Sequence, residues 1–417
     1  MPTTSKLTPT YAAAFSCIGP ACEDSCCGDW DIPLDKQTYE KYRKFPSEKL
    51  GGLVSQFVSI NTSPVPQELY AEIHRAPSGL CPFWGADRLC SIQKEYGPQL
   101  LSATCSIYPR SLSYVDGMLE GSLSLSCPEA ARNVLLNPNS LQVQGDLRSG
   151  AFRTDNSYQL AGKGDPRKPY RSFAPLRALL IELVRDRSRA MWQRLLLIGL
   201  LCKRMEQVLA TGGDEAVPRF LGDFREQIRT GVMDIELANF PSDPVLKLDV
   251  VMKLTDQRMR EKTCGKRFRD TFWAFIEGIA SPDGSTPGDD VSRFLSAERT
   301  YHRPFFELHP YILENYLLNT MFQNLFPLGR EGQSQFAPHS VFDEYVLMTT
   351  QFAWINALLI GVAGSQKQAF SGQHVVQTVQ SFSREVEHYP PVLSSIVEYI
   401  KMRKMDNLQG MSVMLRS

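Results

Sequence analysis

The chain has 417 residues, enough to bury a sizeable apolar core in roughly two or three domains. Its 45 Lys and Arg residues balance its 45 Asp and Glu residues, so net charge does not indicate a nucleic acid or a membrane surface as partner. Residues 1–17 contain one lysine, a very short apolar run and no cleavage site. We therefore expect no signal peptide and a cytoplasmic protein.

Residues 1–136 form a cysteine-rich module, with many Gly and Pro residues and only short apolar runs. Alternation of small or apolar residues with polar ones over 119–125 predicts a short strand. Pro128, followed by Glu129, predicts a helix start, because proline suits the first helical position and an acidic residue suits the positive end. We interpret this region as an irregular α+β module. Residues 137–169 are polar and rich in turn-forming residues, and we interpret them as a connecting segment with room for a hairpin.

Residues 170–417 have a helical pattern, which makes the predicted fold mainly α. Apolar residues spaced by three and four over 176–184 predict a helix, and the spacing continues over 191–205. The span is long for one globular helix, so we expect a break near 187–189. The uncharged stretch 346–366 is interrupted by polar residues and indicates a buried helix instead of a membrane span. Further helices are predicted at 245–259, 266–279, 311–325, 341–362 and 375–387.

The ten cysteines are unevenly placed. In a reducing cytosol, clustered cysteines are more often metal ligands or redox groups than disulfides. Cys202 and Cys264 lie alone in helical segments, and we predict that they are small buried side chains. The other eight lie in the first 127 residues: Cys17, Cys22, Cys26, Cys27, Cys81, Cys90, Cys105 and Cys127.

The close spacing of the first four cysteines lets one short loop supply several sulfur ligands. Thiolates bind soft or borderline metals, so we favour a metal or cluster site over a disulfide scaffold or inert packing. The neighbours Cys26 and Cys27 either both ligate in a tight turn, or one ligates while the other packs or reacts. Four sulfurs per site suit tetrahedral zinc and a four-cysteine iron–sulfur cluster equally well.

Four segments together resemble flagellin lysine N-methylase, the FliB family. They are the C-x4-C-x3-C-C segment from Cys17 to Ile32, CPFWGADRLCSIQKEYG from Cys81, LSATCSIYPR from Leu101, and SLSLSCPEAAR from Ser122. The first two also resemble the wider group of zinc- or iron-chelating CxxxCC proteins. The resemblance covers the first 132 residues with all eight cysteines, and the helical remainder agrees in size and character.

The resemblance implies transfer of a methyl group from S-adenosylmethionine to the ε-amino group of flagellin lysines, with a [4Fe-4S] cluster held by some of the eight cysteines. It also implies a cytoplasmic enzyme with flagellin as protein substrate. Tyr108 and Arg110 carry over as motif residues without an assigned role. The usual radical signature CxxxCxxC is absent, since Asp29 stands where the third cysteine would be. Neither that signature nor a GxGxxG turn places the methyl-donor pocket, and Gly162-Lys163-Gly164 is a weak signal.

Trp30 is the nearest candidate for an aromatic wall that would hold the cationic sulfonium, although capping the core of the module is the simpler role. Ten basic residues against two acidic ones between Arg167 and Arg204 indicate a solvated helix face more than a docking face. The six histidines lack metal-binding spacing. The alternative to the methyltransferase is a non-catalytic zinc- or iron-binding or redox module on a helical scaffold that binds other proteins.

Overall fold

The computed structural model describes residues 7–28, 30–62, 69–143, 157–160, 165–261, 263–280, 289–330 and 340–416. The chain divides into two compact units. The first comprises Met1–Asn133 and Leu141–Gln159, and the second comprises Val134–Ser140 and Leu160–Ser417. Part of the predicted connecting segment thus belongs to the first unit, while the Gly162-Lys163-Gly164 stretch lies outside the described residues.

The first unit consists of short helices and three small sheets. Its strands are β1 Leu7–Pro9, β2 Ile32–Leu34, β3 Val58–Ile60, β4 Ala71–Ile73, β5 Arg110–Val115, β6 Met118–Leu123, β7 Leu141–Val143 and β8 Tyr158–Gln159. They pair as β1–β7, β2–β4–β3 and β6–β5–β8, all antiparallel except β5 with β8. Its helices are α1 Tyr11–Ala14, α2 Lys36–Lys44, α3 Glu48–Phe57 and α4 Ala103–Ile107, and α5 Pro128–Leu135 runs to its boundary.

The predicted strand at 119–125 is confirmed as β6, and the predicted helix start is the first residue of α5. The hairpin β5–β6 turns at Asp116-Gly117, where both residues have positive φ, as a two-residue hairpin requires. A separate apolar core lies under the β2–β4–β3 sheet and includes Leu34, Tyr42 and Phe83. Cys81 belongs to this core, so the cysteine segments are part of the packing of the module.

The second unit consists of helices and their connections, with no strand among its described residues. Its helices are α6 Phe173–Arg185, α7 Met191–Gly212, α8 Val217–Arg229, α9 Val232–Ala238, α10 Pro244–Met259, α11 Lys266–Ile279, α12 Asp289–Ala297, α13 Arg303–Leu308, α14 Tyr311–Gln323, α15 Val341–Gln366, α16 Gly372–Phe382, α17 Pro390–Met402 and α18 Leu408–Leu415. The mainly α fold and the break between α6 and α7 are confirmed. The shorter helices α8, α9, α12, α13, α17 and α18 were not predicted.

Helix α15 forms the centre of the second unit and packs against α7, α11, α12, α16 and α18. It is long and apolar enough to cross a membrane, but 89% of its most apolar window is buried inside the protein. The prediction of a buried core helix at 346–366 is therefore confirmed. Glycines allow its closest crossing: a Cβ on Gly278 of α11 would lie 1.8 Å from the carbonyl oxygen of Gly361 in α15.

Candidate metal centre

The first cysteine group lies on an irregular loop after α1. Cys22 ends a single 3-10 turn, and its thiol donates a hydrogen bond to the carbonyl oxygen of Asp24 at 3.2 Å. Cys26 and Cys27 lie in a tight turn, and the side-chain oxygen of Ser25 accepts a hydrogen bond from the backbone N–H of Cys27 at 3.1 Å. The two neighbouring thiols also hydrogen-bond to each other. The pair thus lies in a tight turn, and ligation by both sulfurs stays a prediction.

Three further cysteines join this turn within the core of the first unit. The backbone N–H of Cys81 donates to the carbonyl oxygen of Cys27 at 2.7 Å, which fixes the two segments side by side. Cys90 lies at the start of a helical turn, and Cys105 lies in α4, where the Ser102 side chain caps its backbone N–H at 3.0 Å. Cys27, Cys81, Cys90 and Cys105 all pack in or against the same apolar core.

Backbone N–H groups donate hydrogen bonds to several of these sulfur atoms. The thiols of Cys81, Cys90 and Cys127 accept hydrogen bonds from amides two or three residues further along the chain, and each such bond lowers the pKa of the thiol. N–H groups pointed at sulfur stabilise a thiolate and are a recurring feature of cysteine-bound iron sites. The donors are Phe83 for Cys81, Ile92 and Gln93 for Cys90, and Ala130 and Glu129 for Cys127.

Burial and repulsion between neighbouring thiolates raise the pKa of these thiols. Burial raises the pKa of Cys81 to about 11 and the pKa values of Cys105 and Cys127 to about 12, and the charges of neighbouring thiols add to each shift. The pKa of Cys27 is raised first by its hydrogen bond with Cys26 and then by burial. Without a cation these groups stay protonated at neutral pH. A metal cation would reverse this balance, because it favours the thiolate form of each ligand.

The donor set fits a thiolate-bound metal. All ten cysteines are described, and none forms a disulfide. Four sulfurs bound to a single zinc lie roughly 3.8 Å apart, from a Zn–S bond of about 2.3 Å in tetrahedral geometry. No three cysteine sulfurs among the described residues lie within 4.8 Å of one another. The choice between zinc and an iron–sulfur cluster therefore stays a prediction.

Trp30 contacts the cysteine turn directly. Its indole N–H donates to the carbonyl oxygen of Cys26 at 2.8 Å, and its ring packs against the core of the module. These contacts give Trp30 the simpler of its two predicted roles, that of holding the turn and capping the core. A role for Trp30 in binding a methyl donor stays a prediction.

The motif residues Tyr108 and Arg110 have structural roles. The guanidinium of Arg110 donates to the carbonyl oxygens of Ala12 at 2.8 Å and Phe15 at 2.7 Å, which ties the end of α1 to strand β5. The hydroxyl of Tyr108 hydrogen-bonds with that of Ser126 at 3.0 Å, next to Cys127. Both residues thus position the segments that carry cysteines.

One group of metal-binding residue types was missed by the sequence analysis. Asp31, Glu72 and His74 meet at the β2–β4 pairing with their ligand atoms within 4.8 Å of one another. The group is satisfied internally, because Arg75 pairs with Asp31 at 3.0 Å and the Ser59 hydroxyl contacts Nε2 of His74 at 2.6 Å. Only strand register brings these residues together, so no local sequence pattern signals them.

The basic stretch of the second unit is largely paired, as predicted for a balanced helix face. Buried Arg194 binds the carboxylate of Glu314 at 2.9 Å, and Arg187 binds the same carboxylate at 2.8 Å. Arg189 pairs with Asp234 at 2.9 Å. Cys202 and Cys264 are buried, as predicted.

A small cavity of the second unit is lined by Thr320, Asn324, Gln351 and the buried carboxyl of Glu344. Burial raises the pKa of Glu344 to about 8, although nearby Lys168 opposes the shift. No sequence pattern signalled this acid.

Comparison with known proteins identifies the family of this chain. The model of the FliB lysine N-methylase C-terminal domain matches residues 177–414. The chain is 26% identical over 404 residues to proteins named lysine-N-methylase from Salmonella typhimurium and Salmonella choleraesuis, covering 94% of each chain. It is 36% identical over 146 residues to the flagellar biosynthetic protein FliU of Salmonella muenchen, covering 34% of this chain and 82% of FliU. No solved structure matches.

Fold and site together define a helical protein that carries a thiol-rich module. The matched family model covers more than half of the chain, and all of it lies in the second unit. The chain belongs to the FliB lysine N-methylase family. The matched residues exclude all eight N-terminal cysteines, so the metal-binding argument depends on the geometry of the first unit.

Proposed function

We propose that this chain is a protein-lysine N-methyltransferase that methylates the ε-amino group of lysines on flagellin with S-adenosylmethionine as donor. We further propose that the thiols of its first unit hold an iron–sulfur centre, with [4Fe-4S] as the expected type. The observation that carries the proposal is the family membership, together with relatives named lysine-N-methylase over nearly their whole length. The FliU relative supports a flagellar substrate, and a cytoplasmic location follows, because flagellin is available there before export.

The proposed reaction balances as a polar methyl transfer. The neutral lysine nitrogen forms a bond to the sulfonium methyl carbon, the carbon–sulfur bond breaks, and S-adenosylhomocysteine leaves with the electron pair. The ε-ammonium must first lose its proton, because a protonated amine has no lone pair for attack. When bound, an iron–sulfur centre supplies redox-active, Lewis-acidic iron.

The thiols of the first unit fit such a centre because sulfur binds iron and because backbone N–H groups and the apolar core hold the thiols in place. Cys81 and Cys90 accept backbone N–H bonds, and Cys27 and Cys105 pack against the same apolar core. A buried, hydrogen-bonded thiolate set limits access of water and oxygen to the iron.

The test is anaerobic purification of the full chain, with its visible spectrum and its iron, sulfide and zinc contents. S-adenosylmethionine and purified flagellin are then added, and methylated lysines are identified by mass spectrometry. The matched variants are Cys105→Ser in the module and Cys264→Ser in the second unit. We expect brown protein, flagellin methylation, loss of iron with Cys105→Ser and retention of iron with Cys264→Ser.

Two results would separate the proposals. Zinc-loaded, colourless protein that ignores donor and flagellin would leave the alternative, a structural metal module on a helical scaffold. Methylation of flagellin by protein that binds neither iron nor zinc would keep the enzyme and refute the metal centre.

A further inference from the structure

The cavity of the second unit combines buried polar groups with apolar walls. Its volume is about 10 Å³, which admits one water-sized group. Glu344 and Gln351 are buried, at 8% and 5% exposed, whereas Asn324 is exposed and opens the cavity to solvent. Phe326 and Met348 are buried apolar residues of its wall. A small ligand group could therefore enter from solvent and meet a buried acid.

The carboxyl group of Glu344 is held at this cavity without a partner. Among the described residues, no group donates a hydrogen bond to its oxygens and no cation pairs with them. The nearby ammonium group of Lys168 donates instead to the carbonyl oxygen of Leu328 at 2.5 Å. Gly329 leaves room for the carboxyl group, because a Cβ there would collide with Oε1 of Glu344. A buried acid without a partner costs folding free energy, and such groups are concentrated at functional sites.

Two further side chains provide oxygen acceptors at the cavity. The amide of Gln351 has no hydrogen-bond partner within the part of the chain that the structure describes. The Thr320 hydroxyl hydrogen-bonds to the hydroxyl of Tyr316, which itself donates to Glu387 at 2.8 Å. The proton of Thr320 is therefore used by Tyr316, and its oxygen can accept. Together with Glu344, three side chains can accept hydrogen bonds from one ligand group.

This set of acceptors and walls fits an alkylammonium group. A primary ammonium has three N–H donors and a positive charge, and it is close to a water molecule in size. Phe326 and Met348 suit the methylene groups that precede the ammonium of a lysine side chain. A divalent cation usually takes six or more oxygen ligands, and the charge of Lys168 would oppose it. The carboxyl group of Glu344 disfavours an anion.

We propose that this cavity binds the ε-amino group of the substrate lysine and that Glu344 takes its proton before methyl transfer. An N–H bond of the ε-ammonium breaks, the proton bonds to a carboxylate oxygen of Glu344, and the electron pair stays on nitrogen. The neutral amine then attacks the donor methyl group, as in the proposed function on which this inference rests. Glu344 releases the proton to solvent after the methylated product leaves.

The proton affinity of Glu344 suits this role. Burial raises its pKa to about 8, which is closer to the lysine value of about 10.4 than an ordinary carboxyl group is. A base accepts a proton more readily as the two pKa values approach each other. The titratable groups near it are Lys168, which lowers the pKa of Glu344, Asp343, which raises it, and Cys202 of α7.

The first experiment measures flagellin methylation by the full chain with Glu344→Gln. The amide keeps the shape of the side chain, so the variant is expected to stay folded. We expect kcat to fall by about 100-fold or more, because the amide cannot accept the proton. The lost rate should return by about tenfold per pH unit between roughly pH 8 and 10, as the lysine loses its proton to water.

The matched control is Asp343→Asn, the same chemical change one residue away. Asp343 does not line the cavity, and we expect this variant to keep its kcat. Native kcat in Glu344→Gln, or an equal loss in both variants, would overturn the proposal.

A second variant tests where the amine binds. Gln351→Met removes one oxygen acceptor and keeps an apolar side chain of similar length. We expect the KM for flagellin to rise by about tenfold, because a hydrogen bond to a charged group is lost, with kcat changed less. Native KM and kcat in this variant would contradict an amine held in this cavity.

The last experiment needs no methylation, so it separates this inference from the proposed function. n-Butylammonium chloride is added to the full chain, and the thermal midpoint of the second unit is measured against equal ammonium chloride and sodium chloride. At about tenfold excess over Kd we expect a rise of roughly 3 °C with the native chain and no rise with Glu344→Gln. The rise should be larger at about pH 9 than at about pH 6, where the Glu344 carboxyl is protonated.

The outcomes of this measurement are distinct. Equal shifts from ammonium and butylammonium would show a site for an inorganic cation, and a shift independent of Glu344 would place the amine elsewhere. Either result overturns the proposal. A Glu344-dependent shift in protein that leaves flagellin unmethylated refutes the proposed function and keeps the amine site.

Discussion

The two units of the chain are stable for different reasons. The second unit is built on long helices around α15, whose residues are buried along most of its length. The first unit has strands of two to six residues, and four of its cysteines lie in or against its small core. A helical core of this size is stabilised by apolar burial alone, whereas a small irregular module usually needs metal or disulfide cross-links. We therefore expect metal binding to contribute to the folding of the first unit and not to the folding of the second.

Metal removal is expected to give the largest effect. Anaerobic chelation should unfold the first unit selectively, because structural metal sites contribute on the order of 10 kcal/mol to folding. Hydrogen exchange measured by mass spectrometry should show lost protection in residues 7–133 and unchanged protection in α15. Equal loss of protection in both units would contradict this separation.

The helix crossing of the second unit is expected to give the next largest effect. Gly278→Ala places a methyl group against the backbone of Gly361, so α11 and α15 must separate. We expect a loss of about 3 kcal/mol in the free energy of unfolding, measured by urea denaturation. The control is Gly222→Ala in α8, where no atom lies within 4 Å of the new methyl group. It should stabilise by about 0.5 kcal/mol, and equal midpoints for the two variants would refute the close crossing.

The buried acid Glu344 makes the stability of the second unit depend on pH. Its pKa is raised by burial from 4.5 to about 8. Below pH 4.5 the carboxyl is protonated in both states, and between pH 4.5 and 8 the unfolded state ionises first, so the folded state loses stability as pH rises. Glu344→Gln should thus stabilise by on the order of 2 kcal/mol at pH 8 and little at pH 4.5, as thermal unfolding would show. A gain that does not grow with pH would contradict the shift.

Helix caps are expected to give the smallest effect. Asp243→Ala removes a single cap bond at α10 and should cost about 1 kcal/mol. Asp35→Ala should cost more, because that carboxylate caps α2 through Thr38 and also accepts the backbone N–H of Ala103 at 3.0 Å. Ala103 begins the helix of Cys105, so this variant should also retain less iron. Thermal unfolding and iron content are the measurements, and equal iron in both variants would exclude the link.

The helical unit was largely predictable because helix periodicity is a local property. Helix α11 has the predicted bounds, and the break before Met191 was predicted because the apolar span is long for one globular helix. Short helices such as α9 and α13 were not predicted, because two turns hold too few apolar positions to define a helix face.

The first unit was less predictable because its contacts are distant in sequence. Strand β4 lies between β2 and β3, and this register alone brings Asp31 to His74. The cysteines were found from spacing, but the packing of four of them in or against one apolar core depends on contacts that no local pattern encodes. Helices α2 and α3 were missed as well, in a region judged by its glycine, proline and cysteine content.

The pairing of the first strand with the seventh sets an order of assembly on the ribosome. Strand β1, residues Leu7–Pro9, can pair only after Leu141–Val143 has been synthesised, and by then all eight cysteines have left the peptidyl-transferase centre. Bacterial-type synthesis rates of about 5–20 residues per second leave more than roughly ten seconds before Leu408–Leu415, the last helix, follows. A nascent chain therefore has a period in which its thiol module is complete and its helical unit is not, and metal delivery during that period would make iron supply a control on the yield of folded protein.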